Sequence, residues 1–232
     1  MRKVLLLVTL SLALTAGSGP AQAADECDGL MVCVPVAGPW VVVPVASSVP
    51  RPRVEYQLTC PRGHVVGGVD AELTDRAIDI SFIGKLGSPV NPGITTSRSV
   101  VFVARYVGST AAVATFRPHI GCMPASGGGG IPTSVTAVVK PGAPTVRRVR
   151  AARVRPGRQT VARACAPREL LVEAMHAIGF ATRRPPSATA VGLVTARRAV
   201  RGSRVVATVE GNAELGTIRA VVQVQAVCSR AR

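Results

Sequence analysis

Arginine is the residue type in this chain with the clearest capacity for recognition chemistry. Arg147-Arg148-x-Arg150-x-x-Arg153-x-Arg155-x-x-Arg158 places six guanidinium groups in twelve residues, and Arg183-Arg184, Arg197-Arg198, Arg201 and Arg204 add further clusters. Planar, permanently charged forks suit phosphate and carboxylate groups. The pattern predicts a polyanion-binding surface carried by these residues, with anionic wall polymers, lipid headgroups or acidic glycans as partners. The plainer reading is a generically basic, soluble exterior. A dedicated nucleic-acid reader is disfavoured. Residues 140–232 contain one aromatic, Phe180, on which a base could stack, and no helix-turn-helix or finger pattern.

Catalytic chemistry has less to build on. The three histidines, His64, His119 and His176, lie in no nucleophile motif, and no Gly-x-Ser-x-Gly, phosphate loop or dinucleotide fingerprint occurs. Asp70, Glu72, Asp75 and Asp79 place four acids within ten residues. Their spacing is not that of a calcium loop, and alternation along a strand makes Asp70 and Glu72 a solvated face. Cys60-x3-His64 and His119-x2-Cys122 resemble two halves of a zinc site. The cysteine spacing favours another role for them. No metal, cofactor or catalytic residue is expected, and an enzyme is the less favoured class.

Cys60 and Cys122 are 62 positions apart, and Cys165 and Cys228 are 63 apart. With one residue inserted after Cys165, Pro61-Arg62 falls on Pro167-Arg168, Val66 on Val172, Ala71 on Ala177 and Ser97-Arg98 on Ser203-Arg204. Val100, Val103 and Ala114 then fall on Val206, Val209 and Ala220. His64 and His119 fall on Leu170 and Gln225, so the cysteines repeat and the histidines do not, which favours disulfides over zinc. The repeat selects the pairs Cys27–Cys33, Cys60–Cys122 and Cys165–Cys228, although spacing alone leaves other connectivities open.

Cys60-Pro61-Arg62-Gly63, Gly67-Gly68 and the closing Ile120-Gly121-Cys122 resemble a loose group of uncharacterised exported proteins of actinobacterial type. Their β-domains open on Cys-Pro-x-Gly and close on a Cys-ending strand. The second half keeps Cys165 and Ala226-Val227-Cys228 but has Ala166 inserted and Glu169 in place of Gly63. The resemblance implies architecture and export, and no activity.

The elements that must position these residues read as strands throughout. Val-rich runs broken by Gly, Pro, Ser and Asn predict strands at Trp40–Val45, Val54–Cys60, His64–Leu73, Ile78–Gly84, Ser99–Val107 and Val113–Cys122. Further strands are expected at Val135–Lys140, Thr145–Val154, Thr160–Cys165, Glu169–Phe180, Ala188–Thr195, Arg204–Glu210 and Thr217–Cys228; Leu170–Ala177 would pass for a helix on propensity alone, but the repeat matches it to the strand beginning near His64. The expected fold is all-β, with two tandem antiparallel sandwich or barrel-like units, each closed by a disulfide. Residues 1–23 read as a cleaved signal peptide: Arg2-Lys3, an apolar run, then Ala21-Gln22-Ala23. Residues 24–125 form a first unit, 126–132 a Gly-rich linker and 133–232 a second unit. Export to the cell exterior or envelope follows, with no membrane-spanning segment in the mature chain.

The formal charge of the whole chain is +16. Residues 24–139 hold eight Lys and Arg against eight acids, whereas residues 140–232 hold eighteen against four. The functional expectation is an exported non-catalytic protein attaching electrostatically to anionic envelope polymers through its second unit. The alternative is a secreted hydrolase or enzyme inhibitor with a site between the two units.

Overall fold

The computed structural model describes residues 25–46, 50–84, 97–109, 113–125 and 145–230. The expected signal peptide, the expected Gly-rich linker and the candidate strand Val135–Lys140 lie outside the described residues. The fold is all-β. In chain order the strands are β1 (Val34–Ala37), β2 (Trp40–Val43), β3 (Arg53–Thr59), β4 (His64–Leu73), β5 (Ile78–Ile83), β6 (Ser99–Tyr106) and β7 (Ala114–Pro124). There follow β8 (Thr145–Arg153), β9 (Gly157–Ala164), β10 (Glu169–Phe180), helix α1 (Ala188–Gly192), β11 (Val194–Arg201), β12 (Arg204–Gly211) and β13 (Ala220–Arg230).

Alternation of small apolar residues dictates which faces are buried. β7 turns Ala114, Phe116, Ile120 and Cys122 toward Val100, Phe102, Ala104 and Tyr106 of β6, forming one core. β13 turns Ala220, Val222, Val224, Ala226 and Cys228 toward Val205, Ala207 and Val209 of β12, forming a second. All pairings between named strands are antiparallel. β7 pairs β4 along one edge and β1 then β2 along the other. β13 pairs β10 and β8. β3–β6–β5 and β11–β12 form separate sheets. Among the described residues no sheet closes into a barrel. Nor do the two halves have independent sheets: β2 pairs β10 through Val41↔Gly179 and Trp40↔Phe180, making one seven-stranded sheet.

All three expected disulfides are present: Cys27–Cys33, Cys60–Cys122 and Cys165–Cys228. The hydrogen bonds around them correct the register read from sequence. Cys60 N–H donates to Arg98 O at 2.7 Å, and Cys165 N–H donates to Ser203 O at 2.9 Å. His64 N–H donates to Pro61 O at 3.2 Å, and Glu169 N–H donates to Ala166 O at 3.0 Å. Bulges fall at Val66/Gly68 in β4 and Leu171/Glu173 in β10, each beside the disulfide of β7 or β13. His64 therefore corresponds to Glu169 and Arg98 to Ser203, so no residue is inserted after Cys165. The extra residue enters between β12 and β13, where a 3-10 turn, Ala213–Leu215, intervenes. The matches of Pro61-Arg62 with Pro167-Arg168, and of Val100 with Val206, were products of a repetitive composition. Ala114 with Ala220 stands.

One other expectation fails. Ala188–Thr195 is not a strand: α1 occupies Ala188–Gly192, and β11 begins at Val194. The Ser187 side chain accepts a hydrogen bond from Ala190 N–H, satisfying a free donor of the first turn. Alanines then favour the helix until Gly192 weakens it. No helix among the described residues is long and apolar enough to cross a membrane.

Candidate functional site

The twelve arginines divide by environment. Arg147 donates to the buried Glu55 carboxylate and to Gln225 Oε1. Arg148 makes a fork to Glu169, at 3.1 Å from Nε and 2.9 Å from Nη2, and this bond raises its pKa. Arg198 donates to Ala174 O and contacts Met175 Sδ. These three side chains are engaged within the fold. Arg150 and Arg153 lie opposite Val224 and Val221, on different faces of β8. Arg155, Arg183 and Arg184 are exposed in connecting segments.

The remaining four converge. β11 and β12 place Arg201 directly opposite Arg204, and Arg197 opposite Thr208. The other side of the hairpin holds Ala196 against Val209 and Arg198 against Ala207, toward the core. Arg197, Arg201 and Arg204 therefore share the outward face. β9 runs beside β12: Pro156 bridges Gly211 at one end, and Cys165 bonds Ser203 at the other. Val161 of β9 points into the core, so alternation turns Arg158 outward onto the same face. All four are exposed, and none has an ion-pair partner among the described residues. Glu210, opposite Thr195, is the acid on that side.

Where the halves meet, a buried polar lock replaces an apolar seam. The edge of β3 that no strand pairs among the described residues faces β13. Gln57 N–H donates to Gln223 Oε1 at 2.7 Å, and Gln223 Nε2 donates back to Gln57 O at 3.0 Å. Gln225 Nε2 donates to Glu55 O at 3.0 Å. Glu55 is 1% exposed, with Arg53 Nε at 3.4 Å from one carboxylate oxygen and Arg147 on the other. Two glutamine side chains thus satisfy Gln57 N–H, Gln57 O and Glu55 O on a strand edge packed against β13. Alternate polar residues in Val-Val-Gln-Val-Gln-Ala-Val were the available signal, since a strand buried on both faces is ordinarily apolar throughout.

Beside this lock lies a cavity of about 530 Å³ between the halves. Its walls include Val42, Pro44, Val54, Ile178, Val191 and Val194, with Arg53, His176 and Arg198 as its charged or titratable members. Burial, then the neighbouring Arg198 charge, lowers the His176 pKa below its ordinary value. Its Nδ1 is buried without a partner among the described residues. No serine, threonine, cysteine or carboxylate lines the cavity among the described residues.

The other histidines and acids have structural surroundings. His119 is buried, with Nδ1 3.7 Å from Glu26 Oε1 and Nε2 2.8 Å from Glu72 Oε1; the latter contact lacks hydrogen-bond geometry. Glu26 immediately precedes the disulfide-closed segment Cys27–Cys33, and its backbone approaches β7 so closely that a Cβ on Gly121 would lie 2.0 Å from Glu26 O. Asp70 accepts from Asp25 N–H, and Asp75 accepts from Ala77 N–H and Tyr106 Oη–H. Cys165, Glu169 and Cys228 come together, but both sulfurs are in a disulfide and offer no thiolate. Comparison with protein-family models, curated proteins and solved structures finds no match to this chain.

Proposed function

We propose that the protein is an exported, non-catalytic binding protein built from two copies of one disulfide-closed β-unit, residues 24–125 and 133–232. Its second unit holds the protein to anionic polymers of the cell envelope. The observation that carries the binding role is the convergence of Arg158, Arg197, Arg201 and Arg204 on one exposed face. A two-dimensional array of guanidinium forks matches repeating phosphate or carboxylate groups better than scattered charge does. The repeated pairings β4–β7 and β10–β13, with repeated bulges and disulfides, support the duplication. The three disulfides support residence in an oxidising compartment, as export would provide.

The test is retention of the protein on washed bacterial cell walls as salt is raised. Exposed charge pairs are screened over roughly 8 Å at physiological ionic strength. Binding at low salt should therefore be released well before molar concentrations. The triple variant R197E/R201E/R204E should lose at least about tenfold in affinity, equivalent to about 1.4 kcal/mol. Salt-resistant retention, or an unchanged triple variant, would remove the proposal.

A further inference from the structure

The cavity between the halves contains a feature that a simple apolar hollow lacks: the open edge of a strand. Ala181 N–H donates to Arg219 O, so the odd-numbered residues at the end of β10 direct their backbone groups to β13. Ala174 O is bonded by Arg198, so the even-numbered residues direct theirs the other way. β2 pairs this outer edge only at Gly179 and Phe180, then departs. The N–H and C=O of His176, which lines the cavity, are left on this edge with no paired strand among the described residues, and the N–H of Ala174 lies on the same edge beyond it. The hollow continues the line of β2 and is walled by Val42, Val191 and Val194.

We infer that this cavity receives the C-terminal end of an extended peptide, which adds to β10 where β2 leaves off. The peptide runs in the direction of β2, antiparallel to β10, and one of its residues exchanges both backbone bonds with His176. Such strand addition draws affinity from main-chain bonds and selectivity from pockets for alternate side chains. The walls here select a small branched apolar side chain. Moving along the β2 direction, the peptide reaches Ala174 and the Arg198 guanidinium. Arg53 is engaged by Glu55 and Glu173, but Arg198 has no carboxylate partner among the described residues. A terminal carboxylate supplies that charge and displaces the bond to Ala174 O. An internal peptide segment lacks it, and a fatty acid lacks the amides that His176 requires.

The experiment uses the full chain and the N-acetylated tripeptide valine–threonine–valine with a free C-terminus, followed by backbone amide spectra. Saturable shifts at His176, Ala177 and Ile178 are expected. Amidating the peptide terminus, or the exchange Arg198→Gln, should weaken binding about tenfold. Val191→Trp should fill the hollow and abolish the shifts while leaving the remaining spectrum in place. Three results would overturn the inference: no shifts at millimolar peptide, equal binding of the amidated peptide, or binding of decanoate at this site without binding of the peptide. Arg198→Gln leaves the outward arginine face intact, so failure here is distinguishable from failure of wall attachment.

Discussion

Glu55 and Arg147 set the character of the junction between the halves. The Glu55 carboxylate is almost wholly desolvated, and the Arg147 side chain is 17% exposed, so neither can be left alone cheaply. Removing one partner of such a pair typically costs about 3–5 kcal/mol, more than the pair itself contributes. Arg147→Met should therefore lower unfolding stability by about 3 kcal/mol in urea denaturation. The double variant Glu55→Leu/Arg147→Met should lose less than the two single losses added together. Single variants within about 0.5 kcal/mol of the parent chain would show that water, rather than Arg147, satisfies the carboxylate. Sequence alone assigned Arg147 to a basic surface, because a local cluster of arginines carries no record of a glutamate ninety-two positions away.

At the scale of elements, the turn that leads into β10 has a structural counterpart in the turn that leads into β4. Gly63 occupies φ +77°, where glycine meets no steric penalty. Its counterpart before β10 is Arg168, held at φ +66°, the one described non-glycine residue in the left-handed region. A side chain there costs about 1–2 kcal/mol in the regular left-handed helix, and a single turn residue toward the lower end. Arg168→Gly should raise the thermal midpoint by a few degrees, equivalent to about 0.5–1 kcal/mol after the added chain entropy of glycine. No change, or a fall, would mean that Arg168 makes a compensating contact in solution. Strand positions were largely legible here: β4, β6 and β12 are Val-rich runs bounded by turn residues, β5 alternates apolar and polar residues, and β10 reads as a strand through the repeat rather than by propensity. α1 was not, because Ala188 to Thr195 is short and its helix depends on the cap supplied by Ser187.

At the scale of the whole molecule, each long disulfide closes a loop of about sixty residues around one core. The chain-entropy relation puts such a closure at about 4 kcal/mol. Replacing Cys60 and Cys122 by alanine should lower unfolding stability by about 3–4 kcal/mol, measured by chemical denaturation. The loss should extend beyond the first core, since β3 supplies Glu55 and Gln57 to the face of β13. Unfolding of the double-alanine variant should accordingly remain a single transition. Two separated transitions would show that the lock does not couple the halves.

The sequence by itself determined the all-β class and the concentration of positive charge after residue 140, and its repeat favoured the three cysteine pairs that the structure shows. These follow from local alternation, turn residues and equal spacing, which act over short stretches or are countable along the chain. Tertiary structure decided which arginines face outward together, which are tied to Glu55, Glu169 and Ala174, and that β2 joins the two halves into one sheet. It also corrected the repeat register, because hydrogen bonds around Cys60 and Cys165 locate equivalent residues where valine, alanine and arginine identities cannot. The cavity beside His176 was legible only in space: its walls come from strands more than a hundred residues apart, brought together where β2 turns away from β10.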